Sequence, residues 1–106
     1  MHNLKWSDSE KKLSRRVFES ALQKELADTV TEFKAMAASI NTIDQMWPLR
    51  DYLHDKQREI DFKYDYRYSQ LIRVFGVLLR ERRIEEKDLK GLSEEKMDAI
   101  RRFAGL

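Results

Sequence analysis

Apolar residues recur along this chain at spacings of three and four positions, which is the period of an α-helix. The first such stripe follows Ser7 and continues to Ile40. Ser7 and Glu10 have the spacing of a capping box, so we expect a helix of about 30 residues, about 45 Å long, to begin after Ser7. Its apolar side comprises Leu13, Val17, Phe18, Ala21, Leu22, Leu26, Val30, Phe33, Met36, Ala37 and Ile40.

A second apolar stripe runs from Met46 towards Leu79, and Pro48 suits the first turn of the helix that it predicts. Tyrosines occupy alternate positions at 64, 66 and 68, a period typical of strands. Both flanks are helical, however, and a lone strand would have no partner to pair with. We therefore predict that the helix continues through the tyrosines, with a break there as the alternative.

The last third of the chain predicts shorter pieces. Ser93, followed by two glutamates, indicates a helix start, and Gly105 suits the C-terminal end of that helix. The predicted fold is all-α and a single domain over residues 1–106, with a long helical hairpin stalk at 7–68 and a small helical head at 69–106. A two-helix stalk leaves part of each stripe uncovered, so we expect two copies to pair as a four-helix bundle, a homodimer. The alternative is a compact monomer folded at kinks.

Composition narrows the classes of protein that remain. The 106 residues include 21 Lys and Arg, 19 Asp and Glu and no Cys, for a net charge of +2. Without cysteine there is no disulfide framework or thiolate metal site, and the charge is too balanced to indicate nucleic acid by itself. No apolar run approaches the ~20 residues of a membrane span and the start lacks an apolar leader, so we expect no membrane insertion and a cytoplasmic location.

The single histidine beyond the start, His54, has Asp51 and Asp55 within one helical turn. A general base would also need a substrate pocket, and a metal site would need a third ligand. We interpret His54 as a solvated side chain, and we predict no catalytic residue, no metal and no cofactor.

Arginines in the last third predict a basic face. Acidic residues interleave with them and no recognition motif is present, so an acidic protein surface fits this face better than nucleic acid. The arginines are Arg73, Arg80, Arg82, Arg83, Arg101 and Arg102.

Trp47 and Arg50 are of the residue types enriched at binding hot spots, although Trp47 would equally suit packing on the Ala-rich end of the first helix. Arg50, Gln57 and Arg67 interrupt the apolar side of the second stripe. Such inward polar residues either set the register of a bundle or, in a small helical enzyme, bind an anion.

Residues 40–67 contain an ordered series of positions that includes Trp47, Asp51 and the block Glu59-Ile60-Asp61-x-Lys63-Tyr64-Asp65. This series resembles the fluorescence recovery protein family of cyanobacteria, and Trp6-Ser7 resembles the start of that family's first helix. The resemblance implies a helical homodimer that binds the photoactivated red form of the orange carotenoid protein. It also implies faster return of that protein to its orange form, which ends photoprotective quenching at the phycobilisome, without covalent chemistry.

The resemblance also implies site residues. Trp47 and Asp51 match family positions tied to the dimer interface and to activity, and Arg73 and Lys96 are the expected partner-binding residues of the head. The whole interface expected on the second helix is Trp47, Arg50, Asp51, Leu53, His54, Gln57 and Arg58.

The chain departs from the family pattern at four positions. The family has histidine at Arg50, arginine at Gln57, an aromatic residue at Arg73 and glycine at Arg82. These departures keep open a homologous helical adaptor with a different protein partner, in an organism that lacks the carotenoid protein. The expected location is otherwise the phycobilisome or thylakoid surface.

Overall fold

The computed structural model describes residues 4–106, which form helices and connecting segments with no strand among them. The all-α fold predicted from the apolar spacing is confirmed. The expectation about an N-terminal leader concerns residues 1–3, which lie outside the described range. The α-helices are α1 (Asp8–Ala38), α2 (Met46–Lys63), α3 (Leu71–Arg80) and α4 (Glu94–Ala104), with short 3-10 helices at Ile43–Gln45 and Glu86–Leu89.

Helix α1 begins where the capping box predicts. The Glu10 N–H donates to Ser7 Oγ at 3.2 Å, and the Ser7 N–H donates to Glu10 Oε1 at 3.0 Å. The helix has 31 residues and is therefore about 46 Å long. It accounts for most of the length of a molecule that measures 53 × 24 × 21 Å.

The prediction that α2 continues through the tyrosines is wrong, because the helix ends at Lys63 and residues 64–70 leave it. The alternate side chains of this segment pack on α1. The rings of Tyr64 and Tyr66 approach Phe18 edge-on, with centroids 5.5 and 4.9 Å away, and Tyr68 lies 5.8 Å from Trp6. The extended segment needs no strand partner because the helix supplies its apolar surface.

The hydrophobic core lies where α3 and α4 pack against each other and against the first half of α1. Leu71, Phe75 and Ile100 of the head are fully buried, and Phe18 and Ala21 face them from α1. The first half of α1 is thus part of the head core. The rest of α1, beyond Ala21, projects from this core together with α2, and we call this two-helix projection the arm.

The start of α4 is tied to the start of α1 by a buried ion pair. Lys96 Nζ lies 3.1 Å from Glu10 Oε1, and Glu10 Oε2 accepts the Ser93 N–H at 2.9 Å. Burial would raise the pKa of Glu10, but the Ser7 and Ser93 N–H groups and the Lys96 ammonium outweigh it and hold the pKa below its usual value. Ser93 also caps α4 through a 3.3 Å bond from the Lys96 N–H, as predicted.

A second buried cluster ties the end of α2 to both α1 and the head. Lys63 Nζ donates to Glu25 Oε2 and to Glu81 Oε1, each at 2.8 Å. The Tyr64 hydroxyl donates to Glu25 Oε1 at 2.7 Å, and Arg83 Nε lies 3.1 Å from the same oxygen. We call these five residues the Glu25 cluster. Since Glu25 is only 2% exposed, its charge is stable there only because these donors surround it.

The electrostatics of the Glu25 cluster favour its charged form. Burial would raise the pKa of Glu25, yet Lys63, Tyr64 and Arg83 together lower it below the usual value. Burial would likewise lower the pKa of Lys63, but Glu25 and Glu81 raise it. A carboxyl group whose pKa is depressed by folding stabilises the fold above its unfolded-state pKa, and this contribution is lost as the pH falls through the folded-state value.

We therefore expect Glu25→Gln to lower the free energy of unfolding at pH 7 by about 3 kcal/mol, as when one partner of a buried pair is removed. The deficit relative to the unsubstituted protein should narrow as the pH falls below about 4.5, because Glu25 is then protonated in the unfolded chain before it is protonated in the folded protein, where its pKa is lowered. Urea unfolding from pH 7 down to pH 3, at one protein concentration, measures both effects.

Glu19→Gln is the matched control, since Glu19 pairs with Arg15 on the surface of the same helix at 3.3 Å. This substitution should change the free energy of unfolding by less than about 1 kcal/mol. A Glu25→Gln variant as stable as its control at pH 7, or a deficit that does not narrow in acid, would show that the cluster does not hold α2 to the head.

Arg82 follows α3 with a positive φ of 62°, a left-handed conformation that side chains other than glycine adopt at a cost. Gly105, at the end of α4, has a φ of 82° and fulfils its predicted role. The resemblance noted above implies glycine at position 82, and a positive φ is the conformation that favours glycine.

Arg82→Gly should raise the stability by about 0.5–1 kcal/mol, because relief of the left-handed strain exceeds the greater entropy of the unfolded chain. Arg80→Gly, on the last turn of α3, should instead lower it by about 1 kcal/mol. Thermal and urea unfolding of both variants measure the contrast, and equal effects of the two substitutions would contradict a strained Arg82.

Candidate protein-binding face

The arm exposes an apolar surface that the monomer does not cover. Within residues 22–63 only Glu25, Leu49, Ile60 and Lys63 are buried. Large apolar side chains on the same two helices and their connection are 36–63% exposed. They are Leu26, Val30, Met36, Ile43, Met46, Trp47 and Leu53; Phe62, near the end of α2, is 74% exposed. Exposed apolar side chains concentrated on one part of a molecule are typical of an interaction site.

The residues that the sequence analysis assigned to an interface on α2 share one side of that helix. At about 100° of rotation per residue, they fall within an arc of about 160°. They are Trp47, Arg50, Asp51, Leu53, His54, Gln57 and Arg58, and all seven are exposed. Leu53 and Gln57 are at the edge of this arc nearest α1, and the other five face further outward. We call the arc, together with the exposed apolar residues of α1, the arm face.

Trp47, Arg50 and Asp51 form a small contact group at the start of α2. The Arg50 guanidinium lies 5.5 Å from the centroid of the Trp47 ring, and its Nη2 atom lies 3.2 Å from Asp51 Oδ1. The side chains of Arg50 and Asp51 are 68% and 65% exposed. An ion pair this exposed adds little stability, whereas the same pair next to an aromatic ring gains strength when a partner excludes water.

Leu53 and Gln57 line a depression of about 220 Å³ between α2 and α1. Leu26 and Thr29 line it from α1, and Ile60 from α2. The depression is small and its surface is mostly apolar, with Lys56 and Asp61 also among its lining residues. It suits an apolar side chain from another protein surface better than a substrate.

His54 and Arg58 point outward from α2. Arg58 borders an open depression with Asp55, Glu59 and Phe62. No group of three His, Cys, Asp or Glu side chains among residues 4–106 has the geometry to hold a metal ion. In the same part of the chain, no helix is long and apolar enough to cross a membrane.

A polar contact also joins the two helices of the arm. The Tyr52 hydroxyl of α2 donates a short hydrogen bond to Glu32 Oε1 of α1. This bond raises the pKa of Tyr52 to about 12. It holds the two helices of the arm together on the side of α2 away from the arm face.

Arg73 and Lys96, expected from the sequence to bind a partner through the head, both make contacts within the protein. Arg73 Nη2 donates to the Phe62 carbonyl oxygen at 3.0 Å, and its Nε donates to Gln70 at 2.9 Å. Arg73 therefore caps the end of α2. Lys96 is 4% exposed, with its ammonium against Glu10 and 4.9 Å from the Trp6 ring, so it faces the interior in this structure.

No role was predicted for Glu25 from sequence, although its position within an apolar stripe indicates burial. Glu25 follows Ala21 by four positions and Leu22 by three, so it lies within the apolar stripe of α1. A carboxylate at such a position needs a buried cation, and Lys63 is that cation.

The fold and the arm face together define a class: an all-helical protein with a closed head and a two-helix arm that leaves apolar side chains exposed. A sequence model of a family described as the photoprotection regulator fluorescence recovery protein matches residues 6–104. The chain belongs to the fluorescence recovery protein family, whose members are photoprotection regulators.

Individual relatives agree with this assignment. The curated fluorescence recovery protein of Synechocystis sp. is 38% identical over 101 residues, which is 95% of this chain and 93% of that protein. The solved structure of the Fremyella diplosiphon fluorescence recovery protein is similar with a TM-score of 0.91, at 31% identity, and covers 96% of this chain and 100% of its own. The Synechocystis sp. structure gives the same TM-score and coverage at 37% identity.

Proposed function

We propose that this protein binds the photoactivated orange carotenoid protein and accelerates its reversion from red to orange, which ends photoprotective quenching at the phycobilisome. Membership of the family along nearly the whole chain supports this proposal. The observation that carries it is the uncovered arm face, which is wide enough for one part to pair with a second copy and the rest to contact a partner. The protein would act in the cytoplasm, at the phycobilisome or thylakoid surface.

The proposed working form is a homodimer in which two arms pair as a four-helix bundle. Trp47 and Leu53 are 45% and 42% exposed in the single chain, and burial of a large apolar side chain contributes about 1.5–3 kcal/mol. A two-fold pairing would cover both copies of this surface at once. It would also place the Arg50–Asp51 pairs near the centre of the bundle.

The proposed mechanism needs no covalent step and no cofactor. A protein that binds the reassembling form of the carotenoid protein more tightly than its separated form shifts the equilibrium towards reassembly. A dimer with two equivalent surfaces can also hold two parts of one partner close together, which raises their effective concentration. Residues of the α2 arc that the pairing of the arms leaves open, such as His54 and Arg58, would supply these contacts, while Arg73 and Lys96 keep the head in place.

A second candidate is a helical adaptor of the same architecture with a different protein partner. Arg50 and Gln57, two of the departures from the family pattern, lie on the arm face itself. A change of residue type there alters the contact surface directly. Arg58 lies beside Gln57 and retains a positive charge on the same arc.

The recovery assay separates the two candidates. An orange carotenoid protein is converted to its red form with light, and its return is followed by absorbance in the dark with and without this protein. We expect faster recovery, and at least a tenfold weaker effect for Trp47→Ala, as when a hot-spot residue is removed. Trp47→Phe and Lys12→Ala, the latter an exposed residue at the head end of α1, are the controls and should act like the unsubstituted protein. No acceleration by a folded protein would favour the different partner.

The dimer is tested independently of the partner. Leu53→Glu should increase the dimer dissociation constant at least tenfold, because it places a charge in an apolar contact. Light scattering after size-exclusion chromatography at low micromolar concentration measures the mass, with Lys12→Gln as the control of equal charge change. A Leu53→Glu variant with the dimer mass, or an unsubstituted protein with the mass of one chain, would contradict the proposed interface.

A further inference from the structure

A basic groove lies between the first half of α1 and the segment that follows α3. Its volume is about 440 Å³, which is within the usual range for small-molecule sites. Its polar rim, apart from one carboxylate, consists of Arg16, Ser20 and Lys24 from α1 and Arg83, Lys87 and Lys90 from the head. We call this the basic groove.

The charge of the basic groove is far from the balance of the whole chain. Five of its lining residues are basic and only Asp88 is acidic, whereas the chain has 21 basic and 19 acidic residues. The Asp88 carboxylate is engaged, since its Oδ2 atom accepts the Glu85 N–H at 2.8 Å. Like charges concentrated in one concave surface produce a local potential that favours an anion of several charges.

The cations of the basic groove differ in how they are held. Arg83 is fixed by Glu25 and by Asp28, whose Oδ2 atom is 3.0 Å from its Nη1. Lys87 makes one long contact of 3.7 Å with Glu85. Arg16, Lys24 and Lys90 have no salt bridge to any residue within 4–106. The groove therefore has one preorganised guanidinium and several ammonium and guanidinium groups available for a ligand.

The remaining lining indicates the chemistry of that ligand. Val17, Ala21 and Ile84 form an apolar floor, and no aromatic ring lines the groove on which a nucleobase could stack. The cations come from two segments, so a single ligand that satisfies them must have charges along its length. Lysine and arginine bind phosphate oxygens through charge-assisted hydrogen bonds.

We propose that the basic groove binds a chain of two or three linked phosphates, either inorganic or the phosphate tail of a nucleotide. Such a ligand would bridge α1 and the segment after α3 at a place distinct from the arm face. None of the α2 residues assigned to the arm face lines this groove. The proposal is therefore independent of the function proposed above.

Isothermal titration calorimetry in about 150 mM sodium chloride tests the ligand chemistry, because that salt screens non-specific charge attraction. The probes are tripolyphosphate, ATP, AMP, sulfate and a hexaglutamate peptide. We expect tripolyphosphate and ATP to bind at least tenfold more tightly than AMP and sulfate. Similar affinities for tripolyphosphate and ATP would assign the contacts to the phosphates alone, and tighter ATP binding would identify a nucleotide as the source, so both outcomes support the site.

Three outcomes would overturn the proposal: no binding of tripolyphosphate, binding of sulfate or AMP as tight as that of tripolyphosphate, or tighter binding of hexaglutamate. The last would indicate that the surface takes an acidic protein segment. The carotenoid protein is absent from the assay, so a negative result here is distinct from failure of the recovery experiment.

Paired charge reversals locate the site. Lys24→Glu with Lys87→Glu should weaken tripolyphosphate binding at least tenfold. Lys12→Glu with Arg102→Glu makes the same change in net charge at exposed positions outside the groove, and should weaken it less than threefold. Circular dichroism verifies the fold. If the first pair does not fold, Lys24→Gln with Lys90→Gln serves, with Lys12→Gln and Arg102→Gln as its control of equal charge change. Equal weakening by the groove and control variants would show that the anion responds to overall charge alone.

Discussion

The buried ion pair between Lys63 and Glu25 is the contact on which the arrangement of this molecule depends. Lys63 is the last residue of α2, and its ammonium reaches both α1 and Glu81 just beyond α3. A lysine buried this deeply must be paired with an acidic group. Helix α2 therefore ends where Lys63 reaches Glu25 of α1. Tyr64 then leaves the helix with its hydroxyl on the same carboxylate. The cluster thereby sets both the direction of the arm and the start of the head.

The parts of the fold that follow from local chemistry were predictable from sequence. Ser7 with Glu10, and Ser93 before its glutamates, begin helices where their side chains predict, because a cap satisfies N–H groups within three residues. The tyrosine segment was mispredicted since its partner is remote: Tyr66 lies against Phe18, which is 48 positions away in sequence. Periodicity records which side of a segment is buried, but it does not say whether a strand or a helix covers that side.

The residues of the candidate site also divide into those that local sequence could place and those that it could not. Helical spacing was sufficient to place Trp47, Asp51, His54 and Arg58 on one side of α2, since an α-helix repeats every 3.6 residues. It was insufficient for Lys96, whose carboxylate partner Glu10 is 86 positions away. The exposure of apolar side chains also could not be predicted from sequence, because an apolar residue in a stripe is buried only where another element packs on it. The structure resolves this by covering the first half of α1 and leaving the second half open.

This uneven burial has a consequence for how the arm can work. The head core is closed by apolar packing and two buried ion pairs, whereas the arm has few buried apolar side chains and the polar Tyr52–Glu32 bond between its helices. A pair of helices with so little shared core gains most of its stability from whatever covers its open face. The arm face and the Glu25 cluster are therefore linked: the cluster fixes one end of α2, and the proposed pairing of arms would order the other. Weakening the cluster should loosen the register of the arm face even though none of its residues lies on that face.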